Sequence, residues 1–294
     1  MLEKLKADIL FDRLLKRQDI NKAYKMVGPE DSWYDTITTV HRSLAEIREL
    51  PHETLEITSH DGLKLKAIYY PCDSKKTVIW VHGYTSHAER ESAYPGLFYR
   101  SLGFNVLIPY LRAHGPSEGK YISFGALEHL DMMKWVDKIN ELIPNSQIIL
   151  HGLSMGGGIV LDLSDKELKN VKCLISDAPN ESIEMFLRNV TNSVFKKDAD
   201  KVYPQLHERY QKEFSVDPRA FDRVKNIANG RYPLLLAAGE LEHREELFRA
   251  IEDRNPQPTT TVILPGCNHG NGMYKQTEMY QHAITKFIDK HLDP

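Results

Sequence analysis

The sequence is poor in cysteine and has no excess of charge of either sign. Cys72, Cys173 and Cys267 are the three cysteines among 294 residues, an odd number without paired spacing. This pattern excludes a disulfide framework, so we expect three small buried thiols in a reducing, cytoplasmic compartment. Lys and Arg number 38 against 41 Asp and Glu, a formal net charge of −3. Such a balance has no electrostatic footprint for nucleic acid, and no nucleic-acid partner is expected.

The amino terminus lacks a long apolar run. MLEKLKADILFDRLLK carries a charge every two or three residues, which excludes a signal-peptide core and a membrane span of about 20 apolar residues. Residues 1–50 are instead predicted to be an amphipathic helical extension, with apolar stripes at Leu2, Leu5, Ile9, Leu10 and Leu14, and at Ile37, Val40, Leu44 and Ile47. Such stripes pack on the protein's own core or form a homodimer. The interleaved acidic residues disfavour a membrane surface.

The rest of the chain has the pattern of an α/β protein. Hydrophobic residues make up 41% of the sequence, enough for a sizeable core. Period-two alternation around residues 55–67 predicts a hairpin. Short apolar runs, each followed by a stretch long enough for a helix, lie at 77–81, 104–111, 147–150, 171–175, 233–238 and 260–264. Strands of this kind indicate a mostly parallel sheet with helices on both faces.

The connection at residues 178–232 is too long for a simple crossover. Its mixture of charged and apolar residues predicts a small helical insertion, which we interpret as a lid. The core then consists of residues 51–177 and 233–294. Five apolar residues of the insertion either wall an acyl pocket or attach the lid helices to the core: Phe186, Leu187, Val190, Val194 and Phe195.

A nucleophile motif lies between the strand at 147–150 and the helix that follows it. Residues 152–156 read Gly-Leu-Ser-Met-Gly, the Gly-x-Ser-x-Gly pattern of a strained turn that exposes a serine hydroxyl at the edge of a sheet. The glycines are needed because nothing larger fits beside so tight a turn. Ser154 is therefore the candidate nucleophile.

A serine needs a base, and the base needs an acid to hold its tautomer. His269 follows the last predicted strand, and Glu240 and Glu242 follow the strand before it. Asp177, directly after the strand at 171–175, is a third candidate for the acid. The order serine, acid, histidine is the order that this type of fold uses.

Two backbone amides are candidates for an oxyanion hole. One is the amide of Met155, which follows the nucleophile. The other is the amide of Tyr84, because Gly83 after the strand at 77–81 allows the backbone to turn inward. His-Glu-x-x-His and paired Cys-x-x-Cys motifs are absent, and the glycines at 156–158 lack a P-loop ending. No metal and no organic cofactor are expected.

Four segments together resemble the α/β-hydrolase superfamily, and more closely bacterial esterases or serine aminopeptidase-like hydrolases. They are residues 82–85, 112–119, 152–157 and 266–270. The resemblance extends from about residue 53 to the end. It implies that the 112–119 loop is a structural bridge, in which Ala113 replaces a glycine. It also implies an acid three residues after the glycine that ends the penultimate strand, which is Glu242 where most members have aspartate.

The function implied by this resemblance is hydrolysis of carboxylic esters of small or medium acyl groups through an acyl-serine. A serine aminopeptidase or amidase of the same fold is the alternative. It would need an anionic subsite, for which the candidates are Glu128, Glu181, Glu184 and Asp177. A non-catalytic binding protein with this fold is a third hypothesis. A receptor would have no need to keep a serine, a histidine, an acid and both oxyanion loops together.

Overall fold

The structure, a computed structural model, describes residues 1–18, 31 and 33–293. Eight strands form one sheet in the order β1-β2-β4-β3-β5-β6-β7-β8. They are β1 (Glu53–Thr58), β2 (Lys64–Tyr70), β3 (Lys76–Val81), β4 (Asn105–Pro109), β5 (Gln147–Leu153), β6 (Val171–Asp177), β7 (Leu234–Gly239) and β8 (Thr259–Leu264). The predicted hairpin and six later strands are all present.

Strand direction separates one edge of the sheet from the rest. β1 and β2 form an antiparallel hairpin in which Leu55 lies opposite Ala67, and β2 is antiparallel to β4. The six strands β3, β4, β5, β6, β7 and β8 run parallel. Their carboxyl ends therefore meet at one edge, where an α/β sheet binds its ligands. This is an α/β-hydrolase fold, as the sequence predicts.

Helices cover both faces of the sheet. They are α1 (Leu2–Leu15), α2 (Ile37–Arg48), α3 (Ala88–Ser101), α4 (Glu128–Leu142), α5 (Met155–Asp162), α6 (Ile183–Phe195), α7 (Ala199–Phe214), α8 (Arg223–Asn226), α9 (Glu245–Glu252), α10 (Gly272–Lys275) and α11 (Thr277–His291). Buried side chains of α1, α4, α5, α6, α7 and α9 share the core on one face. Those of α2, α3, α10 and α11 share the core on the other.

The buried face of α1 differs from the predicted stripe. Of the predicted stripe, Leu10 is buried and Leu14 packs against the core, whereas Leu2, Leu5 and Ile9 are exposed. The helix also buries Ala7, Phe11 and Leu15. The Phe11 ring packs against Tyr121 and against Phe214 of α7. Contact with α7 therefore determines which face is buried, whereas α2 buries Val40 and Ile47 of its predicted stripe.

The chain between β6 and β7 forms α6, α7 and α8. Arg223 of α8 is buried, and its guanidinium pairs with Asp162 at the end of α5, with 2.6 Å between Nη2 and Oδ2. Leu187 is buried, and Phe186, Val190 and Phe195 pack against the core cluster. Val194 is exposed. Four of the five apolar residues therefore attach the insertion to the core.

The cysteines are unpaired, as expected, but not all are buried. Cys173 and Cys267 are buried, whereas Cys72 is half-buried because it lies in the loop after β2. Within the described ranges, no helix combines the length and apolar character needed to cross a membrane.

Candidate active site

Ser154 lies on a strained turn between β5 and α5. Its backbone has φ 57° and ψ −113°, a left-handed conformation that is costly for a residue with a Cβ atom. A Cβ on Gly152 would lie 2.2 Å from the Gly156 carbonyl oxygen, and one on Gly156 would lie 1.9 Å from the Val81 oxygen. Both glycines are therefore required by close backbone approach.

A continuous row of hydrogen bonds connects Ser154, His269 and Glu242. The Ser154 Oγ lies 2.9 Å from His269 Nε2, and His269 Nδ1 lies 2.6 Å from Glu242 Oε2. With Glu242 ionised, Nδ1 donates to the carboxylate, which leaves Nε2 free to accept the serine proton. The His269 side chain is half exposed, while that of Glu242 is only 5% exposed. The imidazole therefore faces the solvent side and its acid lies behind it.

The loop after β7 brings the longer glutamate side chain into position. Residues Glu240–Glu242 form a 3-10 turn, and Glu242 Oε1 accepts a hydrogen bond of 3.1 Å from the Gly239 amide. The carboxylate thus folds back on its own turn while its other oxygen reaches His269. Glu240 points elsewhere, accepting a 2.9 Å hydrogen bond from the Gly266 amide. It ties this turn to the loop that carries His269.

Asp177 has a different partner although it lies at the same edge of the sheet. Its Oδ2 accepts a hydrogen bond of 3.0 Å from the Tyr280 hydroxyl. Burial raises the pKa of Asp177 to about 7, because a buried carboxylate loses its hydration. The hydrogen bond and charge of Glu242 raise the pKa of His269 above its usual value. Glu242 therefore favours the protonated form of His269, whereas the partner of Asp177 is the Tyr280 hydroxyl.

The loop after β3 carries Tyr84, which lines the same cavity as Ser154. Glu91 of α3 holds this loop, since its Oε1 and Oε2 lie 3.1 and 3.0 Å from the Gly83 amide nitrogen and Oε1 also accepts a 3.2 Å bond from the Trp80 indole. The Tyr84 ring packs against Phe124 and against Phe186 of α6. Met155 begins α5, so its amide is one of the first-turn donors that have no acceptor within the helix.

A cavity of about 400 Å³ opens at Ser154 and His269. Its walls come from residues 33–40, from α3 together with the loop before it, and from the segment Gly270–Tyr274, which includes part of α10. Residues of β3, β5 and β6 complete the lining. None of the described residues of the insertion lines it. Of the two alternatives for the apolar residues of the insertion, this cavity agrees with attachment of the lid helices to the core. Phe186 of α6 contacts the Tyr84 ring and does not line the cavity.

Of the four proposed anionic-subsite residues, Asp177 alone lines this cavity. Glu128 is buried elsewhere, where it accepts hydrogen bonds from the Ser123 and Gly125 amides. Glu184 pairs with Arg188 on the surface of α6. The cavity contains a second carboxylate, Glu91, that sequence reasoning missed.

His60, Asp61 and Asp131 form the one cluster of possible metal ligands in the described part of the chain. A guanidinium already fills it: Arg112 donates to Asp61 at 2.9 Å and to Asp131 at 2.7 Å. The cluster is therefore an ion-pair bridge. Its loop contains Ala113 at φ 61°, a left-handed conformation for which glycine is better suited.

Comparison with known proteins identifies the family of the chain. Residues 73–252, more than half of the chain, match a hydrolase family model described as serine aminopeptidase, S33. The chain belongs to this family of α/β-hydrolases. A curated relative of this hydrolase is YqkD of Bacillus subtilis, 33% identical over 118 residues. That match covers 40% of this chain and 38% of YqkD, so the chain matches less than half of the relative's length.

Solved structures resemble the hydrolase over most of its length. The esterase PF2001 of Pyrococcus furiosus is 25% identical with a TM-score of 0.67, and the match covers 92% of this chain and all (100%) of the other. An α/β-hydrolase of Vibrio vulnificus is 20% identical with a TM-score of 0.65, covering 95% and 92% of the two chains. The second comparison shows the fold alone.

Three residues that the sequence did not identify contribute to the cavity or to its surroundings. Glu91 of α3 and Trp33, in the turn before α2, line the cavity, and Tyr280 of α11 binds Asp177. None of them follows a strand or belongs to a short motif, so no local pattern distinguishes them. Their positions depend on how α2, α3 and α11 pack on the sheet.

Proposed function

We propose that this hydrolase cleaves carboxylic esters of small or medium acyl groups through an acyl-serine intermediate. The observation that carries the proposal is the row of hydrogen bonds from Ser154 through His269 to Glu242. A serine on a strained turn, a base at 2.9 Å and a buried acid at 2.6 Å are the parts that acyl transfer requires. The likeness to an esterase at 25% identity supports the same chemistry.

In the proposed mechanism the Ser154 oxygen attacks the ester carbonyl carbon while His269 Nε2 takes its proton. The amides of Tyr84 and Met155 donate to the oxyanion that forms. The tetrahedral intermediate collapses, and His269 returns the proton to the departing alkoxide. Water then attacks the acyl-serine by the same steps, releasing the acid. Glu242 holds the imidazole in the required tautomer and stabilises its charged form.

The helical insertion acts in this proposal as a cap that supports the oxyanion loop. Phe186 of α6 stacks on Phe124 with 3.7 Å between ring centroids, and the Tyr84 ring packs against this pair. The Tyr84 hydroxyl donates to the Leu14 carbonyl at the end of α1. The cap and the amino-terminal helix thus hold the residue whose amide is directed at the oxyanion.

Amide hydrolysis at a peptide amino terminus is the second candidate. It is favoured by Asp177 and Glu91, two carboxylates that line the cavity beside Ser154 and are able to attract an ammonium group. Both already accept hydrogen bonds from the protein. Ester hydrolysis needs no anionic subsite, so it does not require either carboxylate to give up its present hydrogen bonds. We therefore favour it over amide hydrolysis.

A substrate panel tests the proposal. Wild-type protein and Ser154→Ala are compared on p-nitrophenyl acetate, p-nitrophenyl butyrate and aminoacyl p-nitroanilides. We expect ester turnover by the wild type and a loss of about 10⁶-fold in kcat in the variant. Turnover confined to anilides would favour the aminopeptidase. Equal rates for the two proteins on every substrate would contradict serine hydrolysis and favour a binding protein.

A covalent probe tests the nucleophile independently of substrate choice. A fluorophosphonate is expected to label the wild-type protein, and mass spectrometry is expected to locate the adduct on Ser154. Ser154→Ala should remain unlabelled. An adduct on any other residue contradicts the assignment.

A further inference from the structure

The segment at residues 33–40 forms a wall of the cavity beside Ser154. Four of its side chains line the cavity: Trp33, Thr36, Ile37 and Val40. This segment belongs to the amino-terminal extension, outside residues 73–252 that match the family model. The wall is therefore a feature of this chain that the family match does not assign.

The segment is anchored to the core through α2. Ile47 of α2 is buried against Gly96 of α3, so closely that a Cβ on Gly96 would lie 2.9 Å from the Ile47 Cδ1. Arg48 Nε donates to Glu89 of α3 at 2.9 Å. Because helix α2 is held at this end, residues at its amino-terminal end keep a defined position over the cavity.

The turn before α2 orients Trp33. Both the Thr36 amide and the Thr36 hydroxyl donate to the Trp33 carbonyl, at 2.9 and 2.7 Å. The indole meets the Tyr274 ring edge to face with 5.5 Å between centroids. Tyr274 in turn stacks on Tyr94 at 5.2 Å. Aromatic pairs of this kind stabilise a fold by about 0.5–1.5 kcal/mol more than the burial of their surface does. The contacts with Tyr274 therefore hold the indole in place.

Trp33 lies against the residue that follows the candidate base. A Cβ on Gly270 would be 3.3 Å from Cζ2 of Trp33, and Gly270 is adjacent to His269 in the chain. In ester hydrolysis the leaving alkoxide must lie within hydrogen-bond reach of the histidine that protonates it. The indole therefore bounds the side of the cavity toward which the alcohol part of an ester extends.

The remaining surface of this part of the cavity is mainly hydrocarbon. Ile37, Val40, Pro95 and Met273 line it together with Trp33. The three charged side chains of α3 and β6 that also line the cavity have interactions within the protein: Glu91 accepts from Gly83, Asp177 accepts from Tyr280, and Arg90 is also engaged. Apolar walls with satisfied polar groups favour a neutral hydrocarbon group over a charged one.

We propose that Trp33 is a specificity-determining residue whose indole binds the hydrocarbon group of the leaving alcohol, so that the protein prefers esters of aryl or longer alkyl alcohols to those of ethanol. This proposal rests on the proposed ester hydrolysis. It gives the amino-terminal extension a role in substrate selection.

A series of acetates that differ only in the alcohol tests it. Ethyl, octyl and benzyl acetate all pass through the same acetyl-serine, so a contact with the alcohol affects kcat/KM through acylation and leaves deacylation unchanged. Trp33→Ala should lower kcat/KM for octyl and benzyl acetate about tenfold and for ethyl acetate less than about twofold. Trp33→Phe keeps an aromatic ring, so its kcat/KM for octyl and benzyl acetate should lie between those of Trp33→Ala and the wild type.

Tyr34→Ala is the matched control. Tyr34 lies in the same turn, but its side chain is exposed and does not line the cavity. We expect its kcat/KM values to equal those of the wild type for all three acetates.

Thermal unfolding of each variant shows whether a loss of activity results from unfolding. Equal losses on all three acetates in a folded Trp33→Ala, or no loss, would overturn the proposal. So would a loss that follows acyl length in an ethyl ester series and not alcohol size.

A binding measurement separates this proposal from the reaction itself. Ser154→Ala cannot form the acyl-serine, so benzyl acetate can be titrated into it without turnover and binding followed by calorimetry. Adding Trp33→Ala to this background should weaken binding of benzyl acetate about tenfold. If the wild type hydrolyses no ester but this weakening is found, the proposed function is wrong while the binding role of Trp33 is supported. Unchanged binding in the double variant contradicts the binding role of Trp33.

Discussion

The end of β6 and the turn after β7 each bring a carboxylate to the edge of the sheet where Ser154 lies, yet the two carboxylates have different surroundings. Glu242 accepts one hydrogen bond from the Gly239 amide and one from His269. Asp177 accepts from the Tyr280 hydroxyl, and burial raises the pKa of Asp177 to about 7. The partners of a carboxylate, more than its place at a strand end, determine whether it is available to a base.

The surroundings of Asp177 extend into the core. The Tyr280 hydroxyl that binds it lies 3.4 Å from His151 Nε2, and the Tyr99 hydroxyl lies 2.8 Å from Nδ1 of the same ring. All of these side chains are buried. Burial keeps the pKa of His151 low, at about 3, so this histidine is neutral at neutral pH. Asp177 thus belongs to a buried polar network, whereas Glu242 belongs to the site.

The largest expected effect is that of Glu242→Gln. The amide cannot stabilise the charged imidazole or enforce its tautomer, and we expect kcat for ester hydrolysis to fall about 10⁴-fold. Glu240→Gln is the matched control: its side chain can still accept from the Gly266 amide, so we expect a loss below about threefold. Steady-state kinetics on p-nitrophenyl butyrate measure both. The opposite ranking would move the acid to Glu240.

A stability effect is expected from Tyr280→Phe. The change removes the hydroxyl that donates to Asp177 and leaves a buried acceptor without that donor, which costs about 1–3 kcal/mol. The free energy of unfolding in urea measures it. Tyr34→Phe alters an exposed tyrosine and should change that free energy by less than about 0.5 kcal/mol. Equal values for the two variants would show that the hydroxyl of Tyr280 contributes nothing to stability.

A smaller effect on activity is expected from Asp177→Asn. The side chain contacts Tyr280 and has no hydrogen bond to His269 in the structure, so kcat should fall less than about tenfold. The same kinetic assay measures it. A loss as large as that of Glu242→Gln would instead assign the role of the acid to Asp177 at the end of β6.

The smallest expected effect is a displacement of the pH profile. His269 must be neutral to accept the serine proton, so kcat/KM rises with pH as the imidazole loses its proton. Glu242 and Asp177 both raise the pKa of His269. The rise of kcat/KM, the acidic limb of the profile, is therefore expected at a higher pH than for a free imidazole. Asp177→Asn removes one of these negative charges, and the limb should move to lower pH by less than about one unit. Rates from pH 5 to 9 on p-nitrophenyl acetate measure it. A limb that moves upward contradicts this charge assignment.

Much of the candidate site could be predicted because strand ends carry its residues. Buried apolar runs identified the strands, and parallel strands end at one edge. Ser154, His269 and the residues after β7 therefore had to lie near one another. The choice between Glu240 and Glu242 was open from the residues alone, because two carboxylates one residue apart point in different directions only once their turn is formed.

The sequence by itself determined the strands, the glycine-flanked turn at Ser154 and the chain order of serine, acid and histidine, since each depends on local pattern and spacing. The packing of distant elements alone decided that Asp177 pairs with Tyr280, that Glu91 holds the loop after β3 and that Trp33 lines one side of the cavity. These contacts join residues far apart in the chain. They follow from the way α2, α3 and α11 pack on the sheet, which no local pattern records.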